Sequence, residues 1–253
     1  MPASRWPSRL WLVRHGQSAG NIARDAADAS GAERVALTGR DVDVPLSPLG
    51  EEQARGLGRW FAAADERPAV LLVSPYLRAQ RTAELFRDAG GCAADLPLRL
   101  DERLREREFG VLDGLTRAGI AAHHPDQAAF RTQLGKFYHR PPGGESWCDV
   151  ILRLRALLDT VALHHGGKPV MIVAHQVVVL CLRYVIEGLS EAEILTIDKA
   201  GDVANCSITE YAVDPRAPGD GGLTLIRYNA VEAVEASAAP VTVAPDVPVT
   251  TRG

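Results

Sequence analysis

The sequence predicts an α/β fold: a three-layer sandwich with a mostly parallel central sheet and helices on both faces. Three observations predict it. Short apolar runs at residues 9–13, 69–73 and 169–174 read as buried strands, each followed by a segment with helix signals. Strands alternating with helices imply a parallel sheet covered on both sides. Two of the runs end directly in a histidine, His15 and His175, and ligand crevices in such sheets lie beyond the carboxyl ends of the strands. Two imidazoles 160 positions apart are thereby expected at one sheet edge.

The elements follow in order. The first strand runs into Arg14, His15 and Gly16. Ser47 is placed to cap a helix whose first position is Pro48, and Leu49, Leu57, Trp60 and Phe61 give that helix an apolar face. The second strand stops at Ser74 and Pro75, and a helix over 77–89 carries Arg78 in its first turn, where the positive helix end favours anions. Ser146 with Asp149 three residues on forms a capping box, and Val150, Ile151, Leu154, Leu157, Leu158 and Val161 recur at helical spacing. The third strand stops at His175, and a helix over 177–187 follows. Residues 207–213 and 223–228 read as two further strands joined by a turn of Pro, Gly and Asp. From Val231 the composition shifts to Ala, Val, Pro and Thr without a period. One domain is expected over 1–235, with a disordered tail over 236–253.

Composition bounds the function. The chain has 253 residues, a formal charge of −4 and 24 % charged residues. No global basic field draws it to nucleic acid or anionic lipid, so phosphate recognition must come from a local cluster of arginines. Cys92, Cys148, Cys181 and Cys206 form no metal-binding pair, and no disulfide framework is expected. No stretch reaches the length of a membrane span, and the two prolines and short apolar run of residues 1–12 do not fit a signal peptide. The expected compartment is the reduced cytoplasm.

Chemistry can be assigned by residue type. A neutral imidazole attacks phosphorus without a separate base, and the reference pKa of about 6.5 leaves His15 neutral near pH 7. Arg14 and Arg78 present planar forks to the phosphoryl oxygens. Gly16 is expected to let the backbone approach the anion. A leaving alkoxide needs a proton, and Glu106 and Glu108 both qualify by type as the acid. His175 is expected to stabilise developing charge.

Taken together, these elements resemble the histidine phosphatase superfamily, the phosphoglycerate mutase-like proteins. The resemblance runs through Leu12, Val13, Arg14, His15, Gly16, Gln17 and Ser18 with Asn21. It continues through Pro45, Leu46, Ser47 and Gly50, then Ser74 and Pro75 with Arg78, Ala79, Thr82 and Ala83. It ends on Glu106, Phe109 and Gly110, on the turn 143–146, and on Val173, Ala174 and His175, in the family's order. It implies His15 as phosphoryl carrier and Arg14, Arg78 and His175 as the phosphate pocket. It implies a hydrogen bond from Asn21, substrate contacts from Gly16, Gln17 and Ser18, and Glu106 rather than Glu108 as the acid. No metal or organic cofactor is implied. The run from Lys136 to Ser146, and His175, Gln176, Val177 and Val178 with Cys181 and Leu182, resemble fructose-2,6-bisphosphatase domains. There Lys136 and Arg140 match basic residues that hold a second phosphate, while Arg131 is one place off a third. Gln176 joins the expected substrate contacts. The stretch between Asn21 and Pro45 is long, with the reach of a lid.

The expected function is a metal-independent hydrolase of a small phosphorylated metabolite such as a sugar phosphate. Mutases that resemble this core carry a longer insertion after the acid, whereas here 36 residues (107–142) separate Glu106 from Gly143. The alternatives are a cofactor-dependent phosphoglycerate mutase, a phosphoprotein phosphatase and a non-catalytic phosphate-binding domain.

Overall fold

The computed structural model describes residues 5–214 and 222–243. Six strands form one mixed sheet: β1 (Arg9–Arg14), β2 (Val70–Val73), β3 (Leu98–Leu100), β4 (Pro169–Ala174), β5 (Ile208–Asp214) and β6 (Gly222–Ala230). Their order is β3-β2-β4-β1-β5-β6. The β3–β2, β2–β4 and β4–β1 pairs are parallel, and β5 pairs antiparallel with both β1 and β6.

Side chains alternate across this sheet, as the two-residue strand period requires. Leu10 and Leu12 of β1, Val70 and Leu72 of β2, and Val170 and Ile172 of β4 face one core. That core is closed by α6 (Trp147–His164) and α7 (Gln176–Glu187). Trp11 and Val13, Leu71 and Val73, and Met171 and Val173 face the other. There α2 (Pro48–Ala62) and α3 (Leu77–Asp88) supply Leu57, Phe61, Ala79, Ala83 and Phe86. The interiors of β1, β2 and β4 are apolar because both faces are covered there.

The expected helix signals appear as hydrogen bonds. Ser47 Oγ accepts from the Gly50 N–H at the start of α2, and Ser146 and Asp149 cap α6 reciprocally. All six periodic residues of α6 are at most 6 % exposed. Five helices had not been expected. They are α1 (Ala19–Ser30), α4 (Arg117–His123), α5 (Pro125–Tyr138), α8 (Glu191–Ala200) and the short α9 (Glu232–Glu235). Most of these lie peripherally and bury few residues, so they print little apolar period. In α1 only Asn21, Arg24 and Ala27 are buried, two of them polar. Within α5, Gly135 is non-helical at φ 77° and breaks the run between Leu134 and Lys136.

The expected disordered tail is corrected over its first part. Residues 236–243 are described and pack back on the domain. Gln53 Nε2 donates to Pro240 O (2.8 Å) and to Thr242 Oγ1 (3.0 Å), and the Asn205 N–H donates to Thr242 O (2.9 Å). A segment tied by a few separate hydrogen bonds has no hydrophobic period, so composition alone did not reveal it. Residues 244–253 lie outside the described residues, as do 215–221, where the Pro, Gly and Asp turn was expected.

Candidate active site

The sheet register sets the site. Arg14 of β1 pairs with Ala174 of β4, and Val73 of β2 pairs with Val173. The three strands therefore stop together at their carboxyl ends. The His15 N–H donates to Ala174 O (2.9 Å), and the Ser74 N–H donates to Val173 O (3.0 Å). His15, Ser74 and His175 are thus the first residues beyond adjacent strands. All three are fully buried.

Around His15 the hydrogen bonds fix a tautomer. Nδ1 lies 2.7 Å from Gly16 O, a contact that only an Nδ1–H makes favourable. Nε2 then holds the lone pair, and Arg78 Nε donates to it at 3.2 Å. The His175 ring stands edge-on to His15 with centroids 5.2 Å apart. His175 Nε2 is hydrogen-bonded to Ser74 Oγ (2.8 Å), and its Nδ1 is 3.8 Å from Glu106 Oε2. The Glu106 carboxyl is 1 % exposed, and its Oε1 accepts from the Arg107 N–H (2.7 Å). Arg14 is fully buried with Nη1 donating to Val203 O. The structure therefore brings His15, His175, Arg78 and Glu106 into one connected cluster, with Arg14 buried beneath the loop at Val203.

The remaining expected residues divide. Ser18 caps α1, and its N–H and Oγ both donate to Asn21 Oδ1 (2.9 and 3.0 Å). Both residues also line a pocket of about 120 Å³ with Arg24, Arg78, Glu106 and Phe109. Gln17 is a scaffold: Ser47 Oγ donates to its Oε1 (2.8 Å), and its N–H donates to Gln53 Oε1 (2.9 Å). Gly16 has a packing role that sequence reasoning missed. A Cβ there would lie 2.4 Å from Gly50 O, and one on Gly50 would lie 2.0 Å from Gln17 O. The two glycines let the His15 loop lie directly on the first turn of α2. That contact is with backbone, where an anion had been expected.

Three of the residues expected to contact substrate have partners elsewhere. Gln176 Nε2 donates to Asp202 Oδ1 (2.9 Å). Lys136 pairs with Asp198 of α8 and sits 5.2 Å from the Trp147 ring centroid. Arg140 pairs with Asp149 (3.1 Å) and donates to Gly144 O (3.2 Å). Lys136 and Arg140 thus hold different carboxylates and do not converge. Nearby, burial and then Arg131 and Arg107 push the His139 imidazole down to about 4.

Sequence reasoning also passed over Tyr76, whose ring lies 5.0 Å from His175 and under the Arg78 guanidinium at 4.8 Å. Its hydroxyl donates to Glu108 Oε1 (3.2 Å), and burial pushes its pKa far up, so it stays neutral. Ser74 stood in a noted motif without a role. Asp41, which grips Arg78, carried no signal because it sits in a loop without period. Among the described residues no three His, Cys, Asp or Glu side chains are grouped to hold a metal ion, and all four cysteines are free thiols. No described helix is long and apolar enough to cross a membrane.

The family model of the histidine phosphatase superfamily (branch 1) matches residues 10–219. A 2,3-bisphosphoglycerate-dependent phosphoglycerate mutase of Methylobacterium radiotolerans is 32 % identical over 188 residues, covering 73 % of this chain and 82 % of the relative. A probable phosphoglycerate mutase GpmB of Yersinia enterocolitica is 32 % identical over 184 residues, covering 72 % and 75 %. Among solved structures, a mycobacterial glucosyl-3-phosphoglycerate phosphatase in complex with VO3 superposes with TM-score 0.66 at 28 % identity, covering 88 % of this chain and 99 % of that one.

Proposed function

We propose that this chain, which belongs to the histidine phosphatase superfamily, hydrolyses phosphomonoesters of small metabolites through a phosphohistidine at His15. The observation that carries the reading is the orientation of His15. Its Nδ1–H is tied to Gly16 O, so the Nε2 lone pair faces the Arg78 guanidinium where a phosphoryl group would sit.

In the first step Nε2 forms the N–P bond as the ester P–O bond breaks. Arg14, Arg78 and His175 hold the phosphoryl oxygens. Glu106 gives its proton to the departing alkoxide, which leaves into the pocket beside Asn21, Arg24 and Phe109. In the second step water attacks phosphorus, Glu106 takes a water proton, the N–P bond breaks, and His15 returns neutral. Tyr76 and Ser74 hold the His175 ring for both steps.

The curated relatives are mutases and the solved structure at 28 % identity is a phosphatase, so the choice between hydrolysis and transfer rests on this chain. Its short span between Glu106 and Gly143 supports hydrolysis, because it offers no long insertion to exclude water from the phosphoenzyme. The substrate is read as a small phosphorylated metabolite, acted on in the cytoplasm without a metal ion.

One experiment tests this. Purified protein is given 3-phosphoglycerate, glucosyl-3-phosphoglycerate and p-nitrophenyl phosphate, with and without chelator, and quenched without acid. The expected result is phosphate release in all conditions with a base-stable, acid-labile phosphoprotein that His15→Ala lacks. Faster interconversion of 3- and 2-phosphoglycerate than hydrolysis would make it a mutase. Unchanged turnover in His15→Ala would remove the nucleophile.

A further inference from the structure

Arg78 already holds a carboxylate. Its Nη1 donates to Asp41 O (2.7 Å) and to Asp41 Oδ1 (3.1 Å), and its Nη2 donates to Asp41 Oδ2 (3.1 Å). With Nε on His15 Nε2, each of the three guanidinium nitrogens is engaged. A carboxylate fork against a guanidinium fork is the geometry by which the same group would take two phosphoryl oxygens.

Asp41 opens the 3-10 turn Asp41–Asp43, inside a strap over residues 36–43 that is mostly exposed. The strap is pinned just before its start, where the Val35 N–H donates to Gly114 O (2.9 Å). It is pinned just after its end, where the Ala19 N–H donates to Pro45 O (3.0 Å). Between these points, among the described residues, the Arg78–Asp41 contacts are the hydrogen bonds that join the strap to the rest of the domain. Gly39, at φ 93° with nothing within 4 Å of a Cβ position, gives the strap a free pivot.

We propose that Asp41 is a built-in occupant of the phosphoryl site, which the substrate's phosphate must displace from Arg78, opening the strap as it does so. This rests on the reading above that Arg78 binds the transferred phosphoryl group. A phosphate dianion and the Asp41 carboxylate cannot share one guanidinium face, because both would need the same N–H donors of the buried Arg78 and like charges at contact distance repel. Apparent phosphate affinity is then the intrinsic affinity times the fraction of molecules with Asp41 released. Substrates whose remaining groups hold the strap open gain over those that bring only a phosphate, so Asp41 also selects for the leaving group.

The test is calorimetric titration of inorganic phosphate into the wild-type protein, Asp41→Ala, Asp41→Asn, Asp43→Ala and Arg78→Ala. Asp43 lies on the same turn with the same charge but pairs with the exposed Arg40, so its variant controls for charge alone. If the resting contact is closed in about nine molecules of ten, Asp41→Ala binds phosphate about ten-fold more tightly. Asp41→Asn should gain in the same direction, and Asp43→Ala should stay within about two-fold of wild type. Hydrogen exchange at Asp43 and Val44 of the wild type should quicken when phosphate saturates the site. Equal or weaker binding in Asp41→Ala, equal gains in both aspartate variants, or slower exchange on saturation overturns the proposal. Arg78→Ala separates the two readings. Unchanged phosphate binding there removes Arg78 from the phosphate site, whereas loss of binding there with Asp41→Ala at the wild-type value removes the gate alone.

Discussion

Gly16→Ala isolates the contact on which the geometry of His15 depends. The new Cβ would lie 2.4 Å from Gly50 O, against 3.4 Å where ordinary contact begins, so about 1 Å must be found. Little on either side can move. The Gly50 N–H is held by Ser47 Oγ, and Ser47 in turn donates its N–H to Gln17 O (2.9 Å). The Gly16 N–H is held by Thr82 Oγ1 (3.1 Å), and Gly16 O is the partner of His15 Nδ1. Overpacking of this kind costs about 1–3 kcal/mol. A displacement near 1 Å at a nucleophile costs on the order of 100-fold in kcat. Urea unfolding followed by fluorescence, beside kcat and KM for p-nitrophenyl phosphate, measures both. The expected outcome is a lower unfolding midpoint and a large fall in kcat. Wild-type stability with a raised KM alone would falsify the packing role and return Gly16 to the anion-approach role expected from sequence.

Ser74→Ala removes the hydroxyl bonded to His175 Nε2 in a fully buried position. It should cost about 1–3 kcal/mol in unfolding and lower kcat about ten-fold or more, with Ser74→Thr recovering part of the rate. His139 titrates near 4 when folded and near 6.5 when unfolded, so the unfolded chain binds the extra proton between these values. Stability should therefore fall by about 1–3 kcal/mol as pH drops from 6.5 toward 4, and His139→Gln should flatten that part of the urea-midpoint profile. Lys136→Met keeps the packing on Trp147 but leaves the Asp198 carboxylate, 8 % exposed, without its ion-pair partner. A loss of roughly 1–3 kcal/mol is expected by denaturation, with KM for mono- and bisphosphorylated substrates unchanged. Unchanged stability with a raised KM for bisphosphates only would restore the subsite expected from sequence.

The sheet and its buried edge were readable because they obey periods. The apolar runs of β1, β2 and β4 stop where polar chemistry begins, and that fixed which residues would meet at His15. Caps at Ser47 and Ser146 were readable because one serine and its third neighbour suffice. Other features depend on long-range pairing, which no local pattern encodes. Lys136 and Arg140 are four positions apart and could share a face, but the Gly135 break and two separate carboxylates, Asp198 and Asp149, take them apart. Asp41 reaches Arg78, 37 positions away, across loop, helix and strand. Gly16 was singled out for the approach of an anion, but the contact the structure gives it is with the backbone of a helix 34 positions away.

Pro240 and Thr242 reach the His15 loop through two intermediaries, Gln53 and Asn205. Gln53, which they hold, accepts the Gln17 N–H just after His15, and Asn205, held by Thr242, donates its Nδ2–H to His15 O (2.9 Å). The segment is thus a splint that braces the His15 loop through two side chains. Trimming the chain before Pro240, or loading it there with an appended peptide, acts on the backbone that aims the imidazole, though more than 220 positions lie between them in sequence.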